Sequence, residues 1–291
     1  MANLKEIKSR ITSISSTMQI TSAMKMVSAA KLRKAQDAIT QLRPYAQKLQ
    51  EILRNVSGTL DLSENKYAEE RDIKNVLIIG ISSNRGLCGG FNNNITKRIN
   101  VLLKEEYQGK EVKVLTIGKK VNDAFKNRGL TVRPDKLGSA EDVFNDLTFA
   151  RVAAHAEYAM ESFVNEKYDR VVIVYNQFKN AAVQEVQAEQ LLPIEPSEEN
   201  SAKSSGDYIF EPSKVEIVKD LIPKTLKLQL FKAVLDSHAA EHGARMTAMH
   251  KATDNAGELK RDLTLEYNKA RQASITNEIL EIVGGAEALN N

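Results

Sequence analysis

The chain has 291 residues, 42% of them hydrophobic, which is enough for two domains and a sizeable core. Aromatic residues make up only 5%, Trp is absent and Pro occurs six times, a balance that favours helix and coiled coil over a β-sandwich or barrel. The single cysteine, Cys88, excludes an internal disulfide and fits a reducing compartment, and no apolar run approaches the roughly 18 residues needed to span a bilayer. The expectation is a soluble, unexported chain without direct membrane insertion.

The N-terminal end carries a heptad seam. From Leu4, positions spaced alternately three and four apart are Leu4, Ile7, Ile11, Ile14, Met18, Thr21, Lys25, Ser28, Leu32, Ala35, Ile39, Leu42, Ala46, Leu49, Leu53 and Val56. Seven residues nearly complete two helical turns, so this repeat buries a narrow stripe against another helix. At about 1.5 Å per residue the helix would be roughly 80 Å long, against a radius of gyration of about 19 Å for a compact chain of this length. It is therefore expected to project as a rod. Pro44 interrupts the pattern but not its phase, so a kink or an end fits equally.

The net charge of +3 is small, but residues 1–43 hold Lys5, Lys8, Arg10, Lys25, Lys31, Arg33, Lys34 and Arg43 against only Glu6 and Asp37. Such a face suits solvent or an acidic protein surface. No aromatic residue interleaves the cations, which argues against nucleic acid. Around Ile20–Val27 the seam turns polar at Thr21, Lys25 and Ser28, while apolar residues spread around the helix. This turn either faces more than one neighbour or is an imperfect coiled coil.

Past Ser57 the period changes. Lys74–Ser82, Val112–Ile117 and Arg170–Tyr175 are short continuous apolar runs of the kind buried parallel strands show. Helical patterns lie at Asn93–Glu106, Lys119–Asn127 and Glu141–Lys167, the last opened by a capping-box-like Ser139 and Asp142. Together they predict a small doubly wound α/β domain. Residues 181–192 add a strand, and the polar stretch Pro193–Ser205 reads as an exposed loop. From about Pro212 helix returns, with a second stripe of Leu235, Ala239, His242, Met246, Met249, Ala252, Ala256, Leu259, Leu263, Tyr267 and Ala270. The division is thus 1–58 for the first helix, 59–211 for the α/β domain and 212–291 for the second helix. The simplest arrangement lays the two long helices antiparallel, leaving an apolar tip of Ile275, Ile279, Leu280, Ile282, Val283, Ala286 and Leu289 that needs an outside socket.

Three motifs bear on chemistry. His238-Ala-Ala-Glu241-His242 matches a pattern of zinc peptidases, yet His242 lies on the apolar stripe and no further acidic ligand is evident, so a packing histidine explains it more simply. Ser83–Phe91 sits between a strand and a helix, where phosphate loops occur, but its spacing fits neither G-x-G-x-x-G nor a P-loop. A tight turn is the expected use. Cys88 lacks a nearby base, since His155 falls in a helix, and reads as structural.

Residues 20–27, SSNRGLCGGFN at 82–92 and ATDNAGELKRDLTLEYNKARQASITNEILEIVGGAEAL at 252–289 closely resemble the γ-subunit family of F-type ATP synthases, and the likeness runs end to end. It implies an antiparallel coiled coil of the terminal helices inside a ring of three α and three β subunits, and a Rossmann-like domain beside the ε subunit and the membrane c-ring. The chain would then be the rotor shaft, coupling ion flow to ATP synthesis or hydrolysis, with no catalytic group and no cofactor or metal of its own. It would lie peripherally on the cytoplasmic side of the inner membrane. By the family pattern Met24, Lys25, Arg245, Arg271, Gln272 and Thr276 meet the β subunits. Lys31, Arg33 and Lys34 are added from charge, and Ile275, Ile279, Ile282, Val283 and Leu289 form the bearing tip. The sequence lacks the cysteine pair of chloroplast relatives and a transit peptide, which points to a bacterial form. A coiled-coil scaffold without nucleotide coupling is the rival reading.

Overall fold

The computed structural model describes residues 4–57, 66–194 and 214–289. Most of the predicted loop Pro193–Ser205 lies outside the described residues. Two long helices bracket the chain: α1, Leu4–Ser57, and α6, Lys214–Leu289. Both run through an internal proline, Pro44 and Pro223 respectively, so Pro44 does not end α1.

Between them lie β1 (Asn75–Ile81), α2 (Phe91–Val101), β2 (Glu111–Ile117), α3 (Lys119–Lys126), β3 (Thr131–Val132), α4 (Asp142–Asn145), α5 (Phe149–Val164), β4 (Arg170–Phe178) and β5 (Gln184–Leu192). The sheet order is β3-β2-β1-β4-β5, parallel except for β5, which returns antiparallel along β4. The chain moves outward from β1 in one direction to β2 and β3, then returns to β1's other side with β4. This is a doubly wound sheet with its switch point at the carboxyl end of β1.

Three departures from the sequence reading have local causes. The helix expected over Glu141–Lys167 is two, because Asp146 and Thr148 leave the helical region (φ −143°, ψ 87° and φ −113°, ψ 153°) and α5 restarts after Thr148. The reciprocal contact of Ser139 with Asp142 does form, the Ser139 N–H and hydroxyl both donating to the carboxylate at 2.7 and 2.8 Å, which holds that carboxyl below its usual range. The helix after β1 ends in a π-helical turn, Leu102–Glu106, closed by Tyr107 N–H on Leu102 O at 2.8 Å. The two-residue β3 was too short for any periodicity to reveal.

Contacts gather the chain into two compact units, residues 29–245 and residues 1–28 with 246–291. In the larger unit β1 divides its side chains between two cores, as alternation across a strand requires. Leu77, Ile79 and Ile81 pack with Ala156, Met160 and Phe163 of α5 and with Leu226, Leu230 and Val234 of α6. Val76 and Ile78 pack on the opposite face with Ile95, Ile99, Val121 and Phe125 of α2 and α3. Gly118, in the turn from β2 to α3, has φ +99°, and a Cβ there would lie 2.0 Å from Ser82 O, so only glycine fits.

In the smaller unit the predicted seam is present. Ile7, Thr21 and Ser28 of α1 are buried, Leu4, Ile11, Ile14, Met18 and Lys25 are half-buried, and the intervening positions are largely exposed. Thr21 Oγ1 meets Thr253 Oγ1 at 2.8 Å, and Lys260 Nζ donates to Ser15 Oγ at 3.2 Å. As α1 is followed backward, α6 runs forward, so the two helices pair antiparallel.

Candidate functional surfaces

Within the smaller unit the helix pair changes character along its length. On α1, Met24 and Lys25 are half-buried, whereas Ile20, Met26 and Val27 are exposed at 60%, 65% and 57%. The apolar residues that left the seam thus face outward. On α6, Ala256 is the last buried residue of the described chain, and Leu259, on the predicted stripe, is already half exposed. Beyond it Arg271, Gln272 and Thr276 are exposed, with Thr276 Oγ1 bonded only to its own helix, at Gln272 O. Ile275, Ile279, Ile282 and Val283 present 48%, 55%, 71% and 50% of their surface. Leu289 closes α6, and its side chain lies outside the described ones.

In the larger unit Lys31, Arg33 and Lys34 are exposed on α1. Arg245 differs from the other predicted contact residues because it is buried, at 7% exposure. Its Nη1 donates to Glu241 Oε1 at 2.6 Å, one turn back, and its Nη2 reaches Gly86 O and Arg85 O at 3.3 and 3.4 Å. Burial pushes the Glu241 carboxyl up, and the guanidinium opposes that. Nothing in the residue spacing links position 245 to position 86.

The carbonyls that Arg245 meets belong to the loop at the sheet's switch point. There Ser83 hydroxyl donates to Arg85 O, Asn92 Oδ1 accepts from Ser83 N–H at 3.0 Å, and Asn92 Nδ2 donates to Cys88 Sγ at 3.1 Å. Leu87 takes φ +61°, unusual for a side chain with a Cβ, and stands 66% exposed. Cys88 is buried against Phe91 and Ala240, and that burial pushes its thiol up, against the reactive direction.

His238 and His242 meet edge to face with their Nε2 atoms 3.2 Å apart, and His238 stacks on Phe144. Burial lowers their pKa values to about 4 and about 3, with Lys31 and Arg245 reinforcing the effect on both. His242 Nδ1 is buried without a hydrogen-bond partner. Glu241, the residue a peptidase would use as base, is held by Arg245. Among the described residues no group of three or more His, Cys, Asp or Glu could hold a metal ion.

The chain thus combines a doubly wound α/β unit with a second unit in which the two terminal helices pair antiparallel and α6 ends in exposed apolar residues, and that combination defines its class. The family model described as ATP synthase matches residues 3–289. The ATP synthase gamma chain of Christiangramia forsetii is 63% identical over 293 residues, covering 100% of both chains. Among solved structures, a chain of the Euglena gracilis mitochondrial ATP synthase in rotational state 3 matches with TM-score 0.67 at 22% identity, over 98% of this chain and 94% of that one. A chain of the rotor of the same enzyme in rotational state 1 matches with TM-score 0.63 at 25% identity, over 94% and 98%. The chain belongs to the gamma-chain family of F-type ATP synthases.

Proposed function

We propose that this chain is the turning shaft of an F-type ATP synthase and carries torque between a membrane ion ring and a ring of three α and three β subunits. The observation that carries the reading is the far end of α6, where Ile275, Ile279, Ile282 and Val283 are all about half exposed or more on one continuous helix. Exposed apolar surface of that extent is costly in water unless a partner covers it. A sleeve of apolar residues suits a rotating part, because such contacts have no preferred direction and resist turning little.

Arg271, Gln272 and Thr276 lie at the start of this tip, exposed to meet β-subunit polar groups that change with rotation. Met24 and Lys25, beside exposed Ile20, Met26 and Val27, form a second contact zone. Lys31, Arg33 and Lys34 offer positive charge to acidic loops. Each β subunit then meets a different face of an asymmetric shaft, and its nucleotide affinity follows that face, a coupling of conformational populations to angle.

On this reading the chain supplies no catalytic group, and the sites of ATP chemistry lie on the β subunits. The ε subunit and the c-ring would hold the α/β domain, residues 59–211, at the cytoplasmic side of the inner membrane. Among the described residues no helix is long and apolar enough to cross a membrane.

Reconstitution tests the proposal. The purified chain mixed with a ring of α and β subunits should co-elute at one copy per ring and support steady ATP hydrolysis. A chain that remains separate from the ring would leave the scaffold reading in its place.

A further inference from the structure

Arg245 is the last residue of the larger unit, and α6 continues beyond it for more than ten further turns. At this level the helix meets the sheet's switch-point loop. The end of β1 and the loop are tied to α3 and to Glu141 before α4, and Phe91, which follows the loop, is tied to β4. Lys120 N–H donates to Ser83 O at 3.1 Å, Val121 N–H to Ser82 Oγ at 2.9 Å and Lys119 N–H to Asn84 Oδ1 at 3.2 Å, all from α3. Asn84 Nδ2 reaches Glu141 O at 3.0 Å, and Asn176 Nδ2 of β4 reaches Phe91 O at 3.2 Å.

On the helix side the contacts are of two kinds. Ala240 and Ala244 pack with Cys88, Phe91 and Phe178, and Gly243 lies so close to the β4–β5 hairpin that a Cβ would be 3.3 Å from Phe178 and 3.4 Å from Ala181. These contacts pack the helix closely against the sheet. Arg245 adds directional bonds from α6 to the loop, at the Gly86 and Arg85 carbonyls, and Glu241 fixes the guanidinium that makes them.

We propose that the Glu241–Arg245 pair is a joint that transmits torque between α6 and the α/β sheet, by locking the 83–90 loop to the helix, in addition to the packing of Leu226, Leu230 and Val234 in the core and the Gln229 bond to Gln190 O. This rests on the rotor reading. Arg245 is then a positioning residue that acts through the loop, and Glu241 orients it.

The chain's only cysteine reports on the joint. Cys88 is 1% exposed inside the loop, so a water-soluble maleimide reaches it only when the loop lifts from α6. In the purified full chain, Glu241→Gln should raise the Cys88 modification rate about tenfold, the factor expected for loss of one charge-assisted hydrogen bond. In the assembled synthase in sealed vesicles, the same variant should lower the number of ions moved per ATP hydrolysed. Arg245→Lys, which keeps the charge but not the planar fork, should do both as well, and it serves if Glu241→Gln does not fold. An unchanged modification rate in both variants overturns the proposal, because the pair then does not hold the loop. Faster modification with an unchanged ion-to-ATP ratio also overturns it, while leaving the rotor reading intact. A wild-type chain that fails to join the α and β ring would defeat the rotor reading itself, and the joint with it.

Discussion

The two units of this chain satisfy their side chains in opposite ways. In residues 29–245 the sheet is covered on both faces, and Leu77, Ile79, Ile95, Phe125, Phe163 and Ile173 are wholly buried. Among the described residues of 1–28 with 246–291 the buried set is short, Ile7, Thr21, Ser28, Met249 and Ala256, and two of those five are polar. The larger unit therefore contains the interactions that hold it together. The smaller unit keeps much of its apolar surface outward, so its energetics are completed by whatever surrounds it.

The largest effect that sharpens this contrast is a core truncation. Phe163→Ala, in a side chain at 0% exposure, should destabilise the larger unit by about 3–5 kcal/mol. Chemical denaturation of the purified chain measures it, and a loss below about 1 kcal/mol would mean that the core is looser than its burial implies.

Acid should act next most strongly. His238 and His242 are held near pKa 4 and 3 by burial, well below the unfolded value of about 6.5. A depressed pKa means the unfolded chain takes up protons first, so the stability they contribute is present above about pH 6.5 and is lost as pH falls towards 4 and then 3. Melting temperature followed from pH 7 to pH 4 should decline, and the double variant His238→Gln, His242→Gln should flatten the decline. Equal slopes in both chains would remove the pair from the account.

A smaller effect belongs to the helix pair. The Thr21–Thr253 hydroxyl contact is a polar link in the seam, with each hydroxyl also near a carbonyl of its own helix. A double-mutant cycle with Thr21→Val and Thr253→Val should give a coupling energy of about 1 kcal/mol. Additive losses would show that the two hydroxyls act separately.

The smallest effect on the isolated chain is expected at the tip. Ile279→Ala and Val283→Ala remove exposed side chains and should change stability by less than about 0.5 kcal/mol. The same changes should weaken binding to the α and β ring. A large loss of stability in the free chain would mean that the tip is already packed.

Much of this was legible in the sequence, because period and burial are linked directly. The seam from Leu4 to Leu49 follows heptad spacing, and its members are half-buried or buried wherever their side chains are described. The strands were visible as short apolar runs because a sheet covered on both faces needs both sets of alternating residues to be apolar. The break at Asp146–Thr148 was not visible, since Leu147 and Phe149 continue an apolar pattern that a single helix would also show. The role of Arg245 was hidden for a different reason. The family resemblance put it at a contact with the β subunits, and only the fold brings the Gly86 carbonyl, 159 positions away, to its guanidinium.

The most direct test of the shaft is rotation itself. With the α and β ring fixed to a surface and a bead attached to this chain's α/β domain, added ATP should drive turning in one direction, with one pause for each β subunit. A bead that stays still while the same complexes hydrolyse ATP at their full rate would contradict the account.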